Sequence, residues 1–187
     1  DELILQLEHL ACFAPGMLGL GAFHEGDKEL LKLAEDLTES CYLSYHQQGK
    51  NHLLLNFPRW AYVEHGVGCE VVSVPSLKPV RNGSQYILRP EVIESIFYMW
   101  RLTKNPKYRR WAYEIALNIQ ATCKVPSGGY SGIQSVNMTP VVHNDKQESF
   151  FLAETLKYLY LIFSEDSLIG LDKWVFNTEA HPIPIFE

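Results

Sequence analysis

The spacing of apolar residues along the chain predicts five helices. Hydrophobic side chains recur at every third or fourth position in the segments that span residues 3–21, 26–45, 90–103, 107–123 and 149–163. Short links at residues 22–25 and 104–106 join the first four segments into two antiparallel hairpins. In the first segment, Pro15 and Gly16 are expected to kink or interrupt the helix.

The remaining residues predict a few short strands. The irregular stretch 47–85 is rich in Gly, Pro, Asn, Ser and His, with strand-like pieces at 61–64 and 70–73. Its apolar content stays high, so we interpret it as a long loop inside one domain, and such loops often carry function. Residues 173–177 resemble another strand. The glycine-rich residues 127–132 predict a plain turn, because they lack the Lys-Ser/Thr ending of a phosphate-binding loop.

Composition and charge narrow the class of protein. The 187 residues, 47% of them hydrophobic, are enough for one domain with a core. A net charge of −6 and the lack of a Lys/Arg stripe argue against nucleic acid as a partner. No apolar run reaches the roughly 18–20 residues of a membrane span, and the sequence shows no signal peptide. Because it starts already in helical register, we expect a fragment whose beginning is missing.

Cysteines and glycosylation sequons bear on the compartment. The four cysteines form no C-x-x-C pair, which argues against a zinc knuckle. Cys12 and Cys41 lie on the two arms of the first predicted hairpin, where a disulfide could join them. Sequons begin at Asn82 and Asn137, each in turn-like sequence, which favours the secretory pathway.

The third predicted helix carries charged side chains at its start. Arg89 precedes a proline suited to the first helical turn, and Glu91 and Glu94 follow on one face. Acidic residues at a helix N-terminus are commonly solvated caps, and spacing alone favours that interpretation. Against an apolar helix, however, such charges are costly unless they are paired or functional. His9, on the apolar first helix, is more typical of a satisfied core residue than of a ligand.

The hairpins and carboxylates together favour an all-α fold, an α/α toroid in which consecutive helical hairpins close into a barrel. A four-helix bundle fits less well, because acidic residues recur at the N-terminal ends or inner faces of the more apolar helices. Five helices cannot close such a barrel. We therefore expect residues 1–187 to form an incomplete portion of one domain.

Five motifs occur in one order: HLACFAPGMLGLGA, YILRPEVIESIFYMWRLT, SGGYSG, QESFFLAETLKYLYLIFS and WVFNTEAHPIPIF. Together they resemble the carboxy-terminal part of glycoside hydrolase family 47, the class I α-1,2-mannosidases, over residues 9–186. The intact HLACF and NTEAHP are more similar to the processing mannosidases of the endoplasmic reticulum and Golgi than to the degradation-enhancing branch. The resemblance implies an (α/α)7 barrel, of which this chain would be the carboxy-terminal portion, with short β-hairpins.

The resemblance also implies an activity. Members of the family remove terminal α-1,2-linked mannose from high-mannose N-glycans by an inverting hydrolysis that depends on calcium. We therefore expect a Ca²⁺ cofactor and an N-glycan substrate. The expected location is the lumen of the endoplasmic reticulum or Golgi, or outside the cell, with membrane attachment only through an anchor outside this chain.

Site residues carry over at matching positions. Glu91 of the RPE motif matches the carboxylate proposed as the base that activates water, and Arg89 matches the arginine that holds the sugar. Thr178 of NTEAHP matches the residue that binds calcium through its main-chain oxygen and its hydroxyl. His9 matches a polar residue of the substrate cleft, and Phe150 matches the aromatic residue beneath the end sugar. The acidic residues around that sugar and the calcium waters are matched by Glu94, Glu148, Glu154 and Glu179. Cys12 and Cys41 match the disulfide pair.

One departure from the family concerns the general acid. That acid and a further essential aspartate come from the amino-terminal half of the barrel, to which no segment here corresponds. We expect the isolated chain to be inactive and to need that half as its partner. Two other interpretations stay open. One is an inactive mannose-glycan-binding module or degradation-enhancing mannosidase-like protein, and the other is a different toroid hydrolase in which Thr178 has no role.

Overall fold

The computed structural model describes residues 6–46, 67–73, 76, 78–80 and 82–186. Its helices are α1 (Ala14–Glu25), α2 (Lys28–His46), α3 (Glu91–Thr103), α4 (Pro106–Cys123) and α5 (Leu156–Phe163). A π-helical segment, Phe151–Thr155, leads into α5 without a break, so the helix predicted at 149–163 contains one wide turn. The two predicted helical hairpins and the fifth helix are confirmed. No described helix combines the length and the apolar character that a membrane crossing requires.

The first helix begins later than its periodicity predicts. Residues Gln6–Glu8 form a strand, β1, and His9–Phe13 form a 3-10 turn before α1 starts. β1 pairs antiparallel with β2 (Val71–Ser73), where Leu7 lies opposite Val72. Local periodicity carries no information about a partner strand so far along the chain, so the helix predicted from residue 3 was wrong over its first part.

Pro15 and Gly16 open α1 instead of interrupting it. Pro15 falls in the first helical turn, where a missing N–H leaves no hydrogen bond unmade. A β-carbon at Gly16 would lie 2.9 Å from the Tyr98 ring and 3.1 Å from the Cα of Ser95. The N–H of Gly16 also donates a hydrogen bond of 2.9 Å to the Ser95 hydroxyl. Glycine at this position therefore allows α1 to approach α3 closely.

Short antiparallel strands complete the described fold. The three not yet named are β3 (Lys78–Pro79), β4 (Trp174–Phe176) and β5 (Pro182–Pro184). β1, β2 and β3 form one small sheet, and β4 and β5 form a separate hairpin. The strands predicted at 70–73 and 173–177 are confirmed, whereas the one predicted at 61–64 lies outside the described residues.

Helix α3 lies at the centre of the described core. It contacts α1, α2, α4 and α5, as expected of a helix that is apolar on most of its faces. Its fully buried apolar side chains are Val92, Ile93, Ile96, Phe97 and Met99. The charged first turn of α3 therefore lies at one end of a continuous apolar core.

A disulfide joins Cys12 in the 3-10 turn to Cys41 in α2, with their Cα atoms 5.9 Å apart. The pairing that the sequence positions allow and the resemblance implies is confirmed. Cys69 and Cys123 are buried free thiols. Burial raises the pKa of each thiol to about 12, so both stay protonated and unreactive at neutral pH.

Candidate active site

Four parts of the chain line a cavity of about 640 Å³. They are the 3-10 turn with α1, the start of α3, the π-helical segment and the turn from β4 to β5. Its polar or aromatic wall residues include Arg89, Glu91, Glu94, Phe150, Glu154, Asn177, Thr178 and Glu179. Glu91 and Thr178, far apart in the chain, thus face the same space. Glu148 is not among the described residues that form the wall.

The backbone before α3 turns sharply to present Arg89 and Glu91 to the cavity. Leu88, fully buried, has a φ of 68°. This left-handed conformation costs a residue with a side chain about 1–2 kcal/mol. The Thr155 hydroxyl donates a hydrogen bond of 2.7 Å to the Leu88 carbonyl. Because Thr155 ends the π-helical segment that carries Glu154, this bond fixes the start of α3 relative to α5.

The buried side chain of His9 contacts the carboxylate of Glu91. His9 Nδ1 lies 2.6 Å from Glu91 Oε2, and the two residues are only 4% and 6% exposed. On the other side of the ring, His9 Nε2 lies 2.7 Å from the Tyr45 hydroxyl. Burial alone would raise the pKa of Glu91, but the hydrogen bond and charge of His9, with the charge of Arg89, bring that pKa below its ordinary value. Glu91 is therefore an ionised, buried carboxylate that can accept a proton.

The resemblance matches His9 to a polar residue of the substrate cleft. His9 is not among the described residues that line the cavity, and its ring nitrogens contact Glu91 and Tyr45 instead of open space. Its burial agrees with the satisfied core residue that the sequence favours. Any effect of His9 on a bound sugar therefore passes through Glu91.

Arg89 connects Glu91 to an acidic residue that the sequence did not single out. Arg89 Nε donates to the two carboxylate oxygens of Glu70 at 2.9 and 2.7 Å, and its Nη1 lies 3.5 Å from Glu91 Oε1. The main-chain oxygen of Glu70 accepts a hydrogen bond from the His9 N–H at 2.8 Å. Glu70 therefore positions both partners of Glu91. It lies in the predicted loop, and no local pattern distinguishes it from other acidic residues.

Glu94 and Glu154 bring further negative charge to the cavity. Burial raises the pKa of Glu94 to about 7, and repulsion from Glu154 and Glu91 adds to the effect. Burial likewise raises the pKa of Glu154 to about 7, with repulsion from Glu179 and Glu91. The Tyr158 hydroxyl donates a long hydrogen bond of 3.4 Å to Glu94. Crowded carboxylates of this kind would be stabilised by a cation in the cavity.

Thr178 is held at the cavity by the turn between β4 and β5. The Asn177 side chain accepts a hydrogen bond of 3.1 Å from the Glu179 N–H, an arrangement typical of Asx turns. Ala180, buried with a φ of 55°, donates its N–H to the Asn177 carbonyl at 2.9 Å. The Ala180 carbonyl in turn accepts a hydrogen bond of 2.7 Å from Lys157 Nζ on α5. The turn is therefore fixed against the helix that carries the acidic side of the site.

The residues at this wall fit a calcium ion. Calcium prefers six to eight oxygen ligands, and Thr178 can supply its hydroxyl and its main-chain oxygen. Among the described residues, no three His, Cys, Asp or Glu side chains converge closely enough to hold a metal ion. An ion here would therefore rest on Thr178 and on waters oriented by Glu94, Glu154 and Glu179, which line the same wall.

The acidic pair predicts that stability without calcium falls as pH rises. A carboxyl group whose folded pKa is raised favours folding while it is protonated, and this contribution is lost as pH rises through the folded pKa. Glu94 and Glu154 both have a folded pKa of about 7, against an ordinary value of about 4.3. In EDTA, we therefore expect the free energy of unfolding to fall as the pH rises from the ordinary pKa to the folded pKa of these two groups. Glu154→Gln should then raise the free energy of unfolding at pH 8 by about 1–2 kcal/mol, measured by urea denaturation.

Exposed Glu165, beyond α5, provides the matched control for this measurement. Glu165→Gln should leave the pH profile of the wild type unchanged. If Glu154→Gln also leaves the slope between pH 5 and 8 unchanged, Glu154 titrates as an ordinary carboxyl group and the prediction is wrong.

Comparison with known protein families identifies the family of this chain. The model of glycosyl hydrolase family 47 matches residues 1–185. The chain belongs to glycosyl hydrolase family 47. The family expected from the five sequence motifs is thereby confirmed.

Relatives of this family 47 chain are much longer than the chain itself. It is 45% identical over 185 residues to mannosyl-oligosaccharide 1,2-alpha-mannosidase IB of Mus musculus, covering 96% of the chain and 27% of that protein. It is 43% identical over 185 residues to the endoplasmic reticulum mannosyl-oligosaccharide 1,2-alpha-mannosidase of Rattus norvegicus, covering 97% of the chain and 27% of that protein. The chain therefore spans just over a quarter of the length of these curated relatives.

A solved structure supports the fold class. The alpha-1,2-mannosidase from Trichoderma reesei is similar to this chain with a TM-score of 0.79 and 30% identity, covering 99% of the chain and 40% of that protein. The helices and short β-hairpins described above are thus part of an (α/α)7 barrel, as predicted.

Proposed function

We propose that the protein containing this family 47 chain hydrolyses terminal α-1,2-linked mannose of high-mannose N-glycans, with inversion and with calcium as cofactor. The observation that carries the proposal is the shared cavity, to which Glu91, Arg89 and Thr178 all contribute. The names of the relatives, which are 1,2-alpha-mannosidases, support the linkage and the sugar. The chain would supply the base, the calcium site and the floor of the sugar pocket.

Glu91 acts as the base in this proposal. An inverting glycosidase removes a proton from the attacking water on one face of the sugar and protonates the leaving oxygen on the other. The water oxygen bonds to the anomeric carbon as the bond to the leaving sugar breaks, and the water proton passes to Glu91. His9 and Arg89 keep Glu91 ionised and oriented for this step.

The opposite wall binds the end sugar. Bound calcium would supply a hard centre for sugar hydroxyls, held by the two oxygens of Thr178. The ring of Phe150 lies in the wall and would cover the C–H bonds of the mannose ring, excluding water. Arg89, which Glu70 holds in place, would donate to a sugar oxygen.

In this proposal the general acid comes from elsewhere in the barrel. By resemblance to family 47 we expect it in the amino-terminal half, so residues 1–187 alone should release no mannose. The proposed location is the secretory pathway. The rat relative is an endoplasmic reticulum enzyme by name, and a structural disulfide such as Cys12–Cys41 forms in oxidising compartments.

The experiment uses a complete barrel that contains these residues. It is incubated with α-1,2-mannobiose and, as a linkage control, α-1,3-mannobiose, and the first anomer of mannose is followed by proton NMR. We expect β-mannose from the α-1,2 substrate only, with loss of turnover in EGTA and recovery with calcium. Binding of a mannose-type inhibitor without turnover would favour a glycan-binding module. α-Mannose as first product would contradict inversion.

A further inference from the structure

We infer that Tyr45 is a positioning residue for the base, because its hydroxyl holds His9 in the tautomer that donates to Glu91. This inference rests on the proposed function and deepens it. Tyr45 lies in the last turn of α2, is 1% exposed, and is not among the described residues that line the cavity. Its effect on the reaction must therefore pass through His9.

The hydrogen bonds allow one arrangement while Glu91 is ionised and His9 is neutral. An ionised carboxylate only accepts, so the proton in the 2.6 Å contact lies on His9 Nδ1. The neutral imidazole then has its lone pair on Nε2, to which the Tyr45 hydroxyl donates at 2.7 Å. This donation polarises the ring and makes the Nδ1–H a stronger donor to Glu91. Tyr45 thus sets both the tautomer of His9 and the strength of its contact with the base.

The Tyr45 ring is fixed by close packing, which aims the hydroxyl at His9. Its ring packs edge-on against Tyr86, with centroids 5.9 Å apart. A β-carbon at Gly68 would lie 2.3 Å from the Tyr45 ring, so glycine makes room for the ring there. Phenylalanine at position 45 would keep both contacts and lose only the hydroxyl. Within the described chain, no other group is recorded within hydrogen-bond distance of His9 Nε2.

Other charged and titratable groups also act on Glu91. They come from the segment before β2, the segment before α3, α3 itself and the π-helical segment, and are Glu70, Tyr86, Arg89, Glu94 and Glu154. The substitution Tyr45→Phe leaves all of these residues in place, but it removes the Tyr45 hydroxyl from Tyr86 as well as from His9. A change in the ionisation of Glu91 that is accompanied by a change in the His9 tautomer would therefore report the contact with His9.

The test compares Tyr45→Phe with wild type in a complete barrel that contains this chain. We expect the acid limb of kcat/KM against pH to move up by about half to one pH unit, because Glu91 loses part of the donor that keeps it ionised. At a pH well below the acid limb, kcat should fall by about three- to tenfold with KM little changed. Circular dichroism and thermal unfolding verify that the variant is folded.

Tyr42→Phe is the matched control on the same helix. The Tyr42 hydroxyl donates to Glu114 at 2.8 Å and lies beside His46. Like Tyr45→Phe, this substitution therefore removes a tyrosine hydroxyl that contacts a Glu–His pair. None of these three residues is among those described at the cavity wall. The acid limb of Tyr42→Phe should coincide with that of wild type.

Proton–nitrogen NMR of the His9 ring gives a second readout, independent of turnover. We expect the Nδ1–H tautomer in wild type and a mixture of tautomers in Tyr45→Phe. If an active enzyme keeps both the tautomer and the acid limb in Tyr45→Phe, the role of Tyr45 is overturned and the proposed function stands. If the wild type releases no mannose, the proposed function fails and the role of Tyr45 in it fails as well.

Discussion

Glu91→Gln in a complete barrel is expected to reduce the rate of mannose release by about a thousandfold, within the range for loss of a general base. The amide cannot take the proton of the attacking water. It also loses the charge that pairs with Arg89 and His9, whose contacts with Glu91 are 3.5 and 2.6 Å long. Initial rates measure the loss, and titration calorimetry with a mannose-type inhibitor should show affinity within about tenfold of wild type.

Glu114→Gln is the matched control for this substitution. The carboxylate of Glu114 accepts from Tyr42 at 2.8 Å and lies 2.9 Å from His46 Nδ1, so it forms a second Glu–His–Tyr group between α2 and α4. Glu114 is not among the described residues of the cavity wall. Its replacement should leave the rate unchanged. A Glu91→Gln enzyme that retains more than about a tenth of the wild-type rate would place the base elsewhere.

Thr178→Val is expected to lower the affinity for calcium by at least about a hundredfold, because the ion loses the hydroxyl ligand while the shape of the side chain is kept. Mannose release at limiting calcium should disappear and return in part at high calcium. Calorimetric titration measures the affinity directly. Thermal unfolding provides a second measurement, since calcium at 100 times its Kd should stabilise the wild type by about 2.7 kcal/mol.

Thr103→Val serves as the control for calcium binding. Thr103 lies in the last turn of α3 and is not among the described residues at the cavity wall. Its replacement should leave calcium affinity at the wild-type value. Unchanged affinity in Thr178→Val would remove Thr178 from the site. Full mannose release in the presence of EGTA would contradict the calcium requirement itself.

The sequence predicts most helices of this fold because their apolar stripes are long. Helices α2 to α4 have such stripes, as does α5 together with the π-helical segment, and their ends fall within a few residues of the predicted ones. The start of the chain is different, since Leu7 belongs to a strand whose partner, Val72, is remote in sequence. Pairings of that kind depend on the folded chain and leave only a weak local pattern.

Some residues of the candidate site could likewise be predicted from the sequence, whereas others could not. Glu91 and Arg89 belong to a motif that the family resemblance identifies, and the described structure places both at the cavity. Glu70 and Tyr45 carry no motif. Tyr45 belongs to the same buried stripe of α2 as Tyr42, and nothing in the sequence tells which of the two hydroxyls reaches His9. Only the three-dimensional arrangement of the 3-10 turn and α2 distinguishes them.

The π-helical segment Phe151–Thr155 determines where this helix can lose a residue without losing the site. A π turn holds one residue more than a regular α-helical turn and absorbs it locally. Phe150 before the segment lies at the cavity wall. A one-residue deletion inside the segment would leave a regular helix and should keep Phe150 in register with α5. The same deletion within α5 would rotate Phe150 by about 100° relative to the residues that follow it.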